Sequence, residues 1–304
     1  MTYSIVARDP ETGDLGVAVQ SHYFGTGRVV TWAEAGVGAV ATQSIPEVAY
    51  GPHGLDLMRS GVAADQALAQ LVAADPMEIV RQVAFVDANG VVGTHTGAGC
   101  VSQAGHTSGH QVSVQANMME RDTVWGAMLE AYSGSSATDL AGRMLDALDA
   151  AEAEGGDVRG KQSAAMLVVS GPRSDRPWDQ RTVDLRVDDA EVPLAELRRL
   201  IEVNRAVAQM TAVFGSGLLF APVVDGSPEL TAALGQLEAA QAGLGDNREP
   251  SFWMSTLLAK AGRLDEARQK LAFACGTNPR WPTFLRSVAA AGVLPADSPL
   301  LAEG

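Results

Sequence analysis

The chain opens with two short apolar segments separated by a polar turn. Residues 4–7 and 15–19 are apolar and partly β-branched, which favours strands. Between them, Pro10 and Gly13 stand at turn spacing. The pattern therefore predicts a β-hairpin that begins at the first residues and holds this end of the chain inside the fold.

Further strands and helices follow in groups. Apolar or alternating runs predict strands at 29–32, 35–43, 82–87, 91–95, 111–117, 162–169 and 183–188. Helical spacing predicts helices from about residue 50 and at 63–73, 76–81, 122–132, 140–154 and 194–210. Grouped strands joined by hairpins predict an α+β fold with two mainly antiparallel sheets and helices outside them.

The glycines of the 35–43 segment leave two interpretations open. Gly36 and Gly38 are typical of a strand packed closely against another backbone. Their spacing also matches the start of a phosphate-binding loop, but the third glycine and the immediate helix of that motif are missing.

The last hundred residues are predicted to be helical. Glycine and proline in 213–228 predict a linker between a first domain, 1–212, and a helical C-terminal region, 229–304. Residues 252–279 resemble one tetratricopeptide-like helical hairpin. Because one such unit does not bury its apolar face alone, we expect it to pack on the first domain or on a protein partner.

Composition narrows the class of partner. The formal net charge of −14 disfavours nucleic acid and anionic membrane surfaces. Cys100 and Cys275 give no disulfide framework, which is typical of a reducing compartment. Neither a signal-peptide pattern nor an apolar run of membrane-spanning length is visible. We therefore expect a cytoplasmic protein that binds a small molecule.

Thr2 follows the initiator methionine and is small enough for removal of Met1. Removal would leave a threonine that carries both a hydroxyl and a free α-amine, and the amine titrates near pH 8. A threonine activated by its own amine is an established kind of nucleophile. The alternative is that Thr2 is an ordinary second residue.

Several ordered motifs together resemble one family, the domain-of-unknown-function 1028 family. They lie at residues 2–7, 15–21, 35–43, 50–52, 104–106, 114–117, 155–157, 160–165 and 184–189. That family is grouped with the N-terminal nucleophile (Ntn) hydrolases. The resemblance covers roughly residues 2 to 200 and implies a four-layer αββα sandwich, with Thr2 as the nucleophile. Ala116 and Ala190 depart from the family's pattern, where we expect Gly and His.

Five further residues are candidates for the site. We expect Asn117 to help hold an oxyanion, or else to form a turn. Ser21 closes the hairpin beside Thr2, where it positions the amine or is a plain strand-end serine. Gln43 and Gln115 bind substrate or cap the sheet ends, and His106 is a substrate-binding candidate.

A metal site is the weaker interpretation of one histidine-rich stretch. His95, Cys100, His106 and His110 have the side chains that zinc prefers, but only His106 and His110 have a close ligand spacing. We expect neither a metal nor another cofactor.

Three functions remain open at this point. The first is hydrolysis of an amide or related C–N bond by Thr2. The second is non-catalytic binding or scaffolding, with the C-terminal helices recruiting a protein. The third is a metal-dependent enzyme that uses His106 and His110. A homodimer is compatible with each of them.

Overall fold

Two antiparallel sheets organise the N-terminal part of the chain. The computed structural model describes residues 2–303. The strands are β1 (Thr2–Arg8), β2 (Leu15–Ser21), β3 (Thr31–Glu34), β4 (Gly38–Ser44), β5 (Arg81–Asp87), β6 (Val92–Thr96), β7 (Gly105–Gly109), β8 (Val112–Asn117), β9 (Ser163–Val169) and β10 (Arg181–Val187). Sheet A has the order β10-β9-β2-β1-β8-β7, and sheet B has the order β3-β4-β5-β6.

Helices flank the strands and fill the C-terminal part. They are α1 (Gly27–Val30), α2 (Tyr50–Arg59), α3 (Ala64–Ala74), α4 (Val124–Gly134), α5 (Leu140–Ala153), α6 (Pro193–Gly215), α7 (Pro228–Leu244), α8 (Glu249–Lys260), α9 (Leu264–Cys275) and α10 (Trp281–Ala290). The 3₁₀ helices are Glu78–Val80, Pro177–Gln180 and Pro299–Glu303. The predicted α+β class with antiparallel sheets is confirmed.

The chain divides into two compact units, Met1–Ile201 and Glu202–Gly304. The second unit has its own apolar core, in which Phe252 stacks on Trp281 with ring centroids 4.8 Å apart. Helices α8 and α9 share this core with α7 and α10. The helical pair therefore does not stand alone, because neighbouring helices of the same unit cover its apolar face.

The first unit has separate cores on the two faces of its central strand. Successive side chains of a strand point to opposite faces. Tyr3 and Ile5 accordingly join a core with Met144 of α5, whereas Val6 belongs to a core between sheets A and B. A third core joins sheet B to α2 and α3 and contains Phe85. Thr2 and Ser4 share the face of Val6, so their side chains lie between the two sheets.

Some predicted element boundaries are wrong. Residues 29–30 were expected in a strand, but they end α1, because the backbone N–H of Val30 donates to Thr26. Residues 76–81 are a short 3₁₀ turn followed by the start of β5. Residues 105–109, which contain His106 and lie outside every predicted strand, form β7. Its glycine- and serine-rich sequence has little strand propensity, and pairing with β8 supplies the hydrogen bonds that hold it extended.

Gly36 and Gly38 form close backbone packing. Gly36 has φ +65°, and an added Cβ would lie 2.4 Å from the Arg173 nitrogen. At Gly38, which begins β4, an added Cβ would lie 2.7 Å from the Val86 carbonyl oxygen. The packing interpretation therefore accounts for both glycines, and residues 35–37 are a turn rather than the start of the strand.

Candidate functional site

Thr2 begins the central strand of sheet A and is paired on both sides. It lies opposite Ser21 of β2 and Asn117 of β8. The Thr2 Oγ1 and Ser21 Oγ atoms are 3.0 Å apart, within hydrogen-bonding distance. Thr2 is 6 % exposed, so its hydroxyl is held inside the end of the sandwich by two neighbouring strands.

Two amide side chains fix the Thr2 carbonyl. Gln43 Nε2 of sheet B donates to Thr2 O at 3.2 Å, and Asn117 Nδ2 of sheet A approaches the same oxygen at 3.5 Å. Both nitrogens also donate to Gln82 Oε1, at 2.7 and 2.9 Å. The Asn117 amide nitrogen therefore faces protein acceptors rather than an open oxyanion position.

The polar network continues along the strands. Ser4 Oγ donates to Gln43 Oε1 at 2.6 Å, and Gln115 Nε2 donates to Ser4 Oγ at 2.6 Å. Ser113 Oγ donates to Gln115 Oε1 at 3.0 Å. All four residues are buried, and their polar atoms contact one another. Gln43 and Gln115 thus hydrogen-bond to buried residues that adjoin Thr2.

Gln82 belongs to the network around Thr2, and the sequence did not single it out. Its Oε1 accepts from the two amides around Thr2, while its Nε2 donates to Thr96 Oγ1 at 3.0 Å and to the Ala116 carbonyl at 2.8 Å. Gln82 is fully buried near the start of β5, directly before four apolar residues. A glutamine in that position was the available signal, because a buried amide requires several partners.

His106 lies at the outer end of this network. Its Nδ1 is 2.8 Å from Thr96 Oγ1. Since Thr96 accepts a hydrogen bond from Gln82, its own hydroxyl hydrogen is free to be donated to His106. Burial, and then the nearby His95, lower the pKa of His106. The neutral imidazole is therefore favoured, and His106 connects with Thr2 only through intervening side chains.

Two atoms near Thr2 lack protein partners among the described residues. Asn117 Oδ1 and His22 Nδ1 are buried without a hydrogen bond. Ser44 and Met118, which follow Gln43 and Asn117 in the chain, have φ +73° and +58°. Non-glycine residues adopt such angles at an energetic cost, and such positions cluster at functional sites. These features mark the end of the sandwich that carries Thr2.

Three charged residues in the loop that precedes β9 form ion pairs. Asp157 is buried, accepts from the His22 backbone N–H at 3.1 Å and forms an ion pair with Arg159. Lys161 forms an ion pair with Glu152 at 3.0 Å. Glu152 also accepts from the hydroxyl of Tyr3, which points to the helix side of sheet A. The ion pair of Lys161 therefore lies on the face of sheet A opposite to the Thr2 side chain.

Cavities and metal ligands give further constraints. Within residues 2–303, the five described cavities have volumes between about 270 and 460 Å³, and none is lined by Thr2, Ser21 or Asn117. In the same residues, no group of three or more His, Cys, Asp or Glu side chains is placed to hold a metal ion. His95 binds Glu78 instead.

Helices of the described chain are all too short or too polar to cross a membrane.

The fold and this buried network define an α+β protein with a polar centre at one end of two facing sheets. Residues 2–197 match the family described as "Family of unknown function (DUF1028)". The chain belongs to this DUF1028 family.

One solved structure is similar to about two thirds of the chain. It is the crystal structure of a DUF1028 protein from Silicibacter pomeroyi, with 32 % identity and a TM-score of 0.59. The similarity covers 66 % of this chain and 88 % of that one. No curated protein matches the sequence significantly.

Proposed function

We propose that this protein is an N-terminal-nucleophile hydrolase of a small-molecule amide or related C–N bond, with Thr2 as nucleophile after loss of Met1. We further propose that residues 1–212 form the four-layer αββα sandwich of that superfamily. Cores between α5 and sheet A, between the sheets, and between sheet B and α2–α3 support this arrangement. The observation that carries the proposal is the position of Thr2, which begins a central strand beside Ser21.

The chemistry follows from the groups around Thr2. The Thr2 hydroxyl attacks the substrate carbonyl carbon, and its proton passes to the α-amine of the same residue. The C–N bond then breaks, and the leaving nitrogen takes that proton. Water hydrolyses the resulting ester on Thr2, again with the amine as base, and releases the acid. The amine is uncharged in a useful fraction near neutral pH, because its ordinary pKa is close to 8.

The neighbouring side chains have positioning roles in this scheme. Ser21 Oγ orients the Thr2 hydroxyl, and Gln43 and Asn117 hold its carbonyl. Asn117 lies opposite Thr2, and among residues 2–303 its Oδ1 has no hydrogen-bond donor, so we assign it the N–H of the freed amine. This role replaces the oxyanion contact expected from the sequence, because the Asn117 nitrogen is bonded to Gln82.

The mechanism requires loss of Met1. Met1 lies outside the described residues, but it is joined to the Thr2 nitrogen by a peptide bond. As long as that bond is intact, Thr2 has no free α-amine to act as the base. The proposal therefore requires the processed protein.

Covalent trapping tests the proposal. The probe is β-butyrolactone. Attack of the Thr2 hydroxyl on its carbonyl carbon breaks the ring C–O bond and leaves a hydroxyacyl ester on Thr2. No group leaves, so the protein gains the full mass of the lactone. Intact-mass analysis should show a protein without Met1 that gains one lactone, mapped to Thr2. Thr2→Ser should retain labelling, whereas Thr2→Ala should lose it and keep its far-UV circular dichroism spectrum. Retention of Met1 in protein that reacts equally well contradicts the mechanism.

Non-catalytic binding is the second candidate. The specific observation in its favour is that Thr2 lines none of the five described cavities in residues 2–303. In that case the wild type and Thr2→Ala should bind a small amide with the same affinity. The lactone should not label residue 2.

A further inference from the structure

Exposed apolar side chains are concentrated in the loops at the Thr2 end of the sandwich. Six of them are 50–56 % exposed, and we call this set the apolar rim: Tyr23, Phe24, Ile45, Ile79, Val101 and Val158. They belong to the loops that follow β2 and β4, precede β5 and β9, and join β6 to β7. The register places each of these strand ends on the side of the sheets where Thr2 lies.

The loops on the sheet B side are joined by backbone hydrogen bonds. The Ile45 N–H donates to the Val80 carbonyl at 3.3 Å, and the Gly99 N–H donates to the Ile79 carbonyl at 2.7 Å. These bonds connect the loop after β4, the turn before β5 and the loop after β6.

The series of hydrogen-bonded loops continues on the sheet A side. The Met118 N–H donates to the Val101 carbonyl at 3.0 Å, and the Val158 N–H donates to the Met118 carbonyl at 3.4 Å. Ser163 Oγ then donates to the Tyr23 carbonyl. The loops that carry the apolar rim are therefore contiguous and pass next to Asn117, one residue before Met118.

The opposite end of the sandwich lacks such a concentration. Among large apolar side chains in residues 2–201 that are at least half exposed, the two outside the rim are Val192 and Trp178. Val192 follows β10 and also lies at the Thr2 end, while Trp178 lies in the loop between β9 and β10 at the other end. Single exposed apolar residues are normal on a protein surface, but contiguous groups mark binding sites.

We propose that the apolar rim binds an apolar, uncharged group of the substrate while its C–N bond reaches Thr2. The inference rests on the proposed function, since it assigns the substrate class of that same site. Any molecule that approaches Thr2 along the strand ends passes these side chains. Four strand spacings from β7 to β9 and one sheet spacing make this end of the sandwich about 19 by 10 Å across. The rim therefore surrounds an area large enough to be contacted by one small molecule.

Binding to a non-reactive variant tests the rim by itself. Ligand-observed saturation-transfer NMR compares 3-phenylpropionamide with 3-hydroxypropionamide on Met1-free Thr2→Ala protein. We expect the phenyl compound to bind at least about fivefold more tightly, because its ring is removed from water. Adding Phe24→Ser should abolish most of that preference, and adding Trp178→Ser, the matched exposed control, should leave it unchanged. Equal binding of the two amides, or equal effects of the two serine variants, overturns the inference.

A covalent arm separates this inference from the proposed function. On wild-type protein, 4-benzyl-2-oxetanone should label Thr2 about tenfold faster than β-butyrolactone, and Phe24→Ser should reduce that ratio. Labelling of Thr2 at equal rates contradicts the rim while leaving the hydrolase proposal intact. Preferential binding of the phenyl amide without any labelling of Thr2 contradicts the hydrolase proposal.

A second copy of the chain is the competing occupant of the rim. Analytical ultracentrifugation of wild type and Phe24→Ser distinguishes it. A wild-type dimer that dissociates in Phe24→Ser, together with no preference for the phenyl amide, assigns the rim to a subunit interface and overturns the substrate inference. If Phe24→Ser leaves the sedimentation coefficient unchanged, the result supports the substrate inference.

Discussion

Thr2 Oγ1 and Ser21 Oγ lie 3.0 Å apart on neighbouring strands, as directly opposed residues of the opening hairpin. A hydroxyl so close to the proposed nucleophile restricts its rotation and supplies a partner for its proton. Ser21→Ala should therefore slow lactone labelling of Thr2 by about tenfold or more through lost positioning. Ser113→Ala, which removes another fully buried hydroxyl of the same network, is the matched control. Equal loss in both variants would show a general effect of buried polar groups instead.

Excision of Met1 should precede folding. Thr2 is 6 % exposed and its strand is paired with β2 and β8 along nearly its whole length. An aminopeptidase needs the first residues as a free, extended segment. Protein that retains Met1 should lose it at least about tenfold more slowly when folded than in mild denaturant, since removal then requires local opening. Intact-mass time courses measure both rates, and equal rates would disprove the order of events.

Gln82 should be the most stability-sensitive polar residue of the network. Gln82→Met removes the nearest acceptor of Gln43 Nε2 and Asn117 Nδ2 and one donor to the Ala116 carbonyl. Because unsatisfied buried groups are costly, we expect the free energy of unfolding to fall by about 2–4 kcal/mol. Urea denaturation measures it. Gln66→Met, at an exposed position of α3, should change stability by less than about 0.5 kcal/mol.

Two helical glycines should respond in opposite directions to alanine. In α2, a Cβ on Gly54 would lie 2.4 Å from the Phe85 ring, so Gly54→Ala should destabilise by about 1–3 kcal/mol through overpacking. Gly126 of α4 has nothing within 4 Å of such a Cβ. Gly126→Ala should stabilise by about 0.5–1 kcal/mol, since glycine disfavours helix. Thermal unfolding of both variants gives the signs, and a stabilising Gly54→Ala would contradict the packing described for α2.

The Asp75–Arg81 pair should make stability depend on acid pH. The Arg81 guanidinium, 2.8 Å away, lowers the pKa of Asp75 below its ordinary value of 3.8. On acidification the unfolded chain therefore takes up this proton first, and stability falls as the pH drops from about 4 through the folded-state pKa. Asp75→Asn should flatten this dependence in urea titrations below pH 4 and lower stability at pH 7.

A graded variant checks that interpretation. Tyr50→Phe removes the hydroxyl that donates to Asp75 at 3.2 Å but keeps the ion pair. It should retain most of the acid dependence, because the hydrogen bond from Arg81 is the largest cause of the lowered pKa. If Tyr50→Phe flattens the profile as much as Asp75→Asn does, the ion pair is not the source.

The sequence by itself determined the local elements and one contact of the site. The apolar, partly β-branched residues 4–7 and 15–19 and the turn between them predict the hairpin, and with it the position of Ser21 beside Thr2, which the strand pairing confirms. The α+β class follows from the grouping of strands and helices. These features depend on neighbours within about twenty residues, which propensity and periodicity encode directly.

Only the tertiary structure decided the rest. Gln43 and Gln82 reach Thr2 from sheet B, so their role depends on how two sheets face each other. Strand β7 exists because β8 lies beside it, and no local preference of its glycines and serines predicts that. Contacts between distant segments are fixed by packing and by the need to satisfy every buried amide, and neither leaves a periodic pattern in the chain.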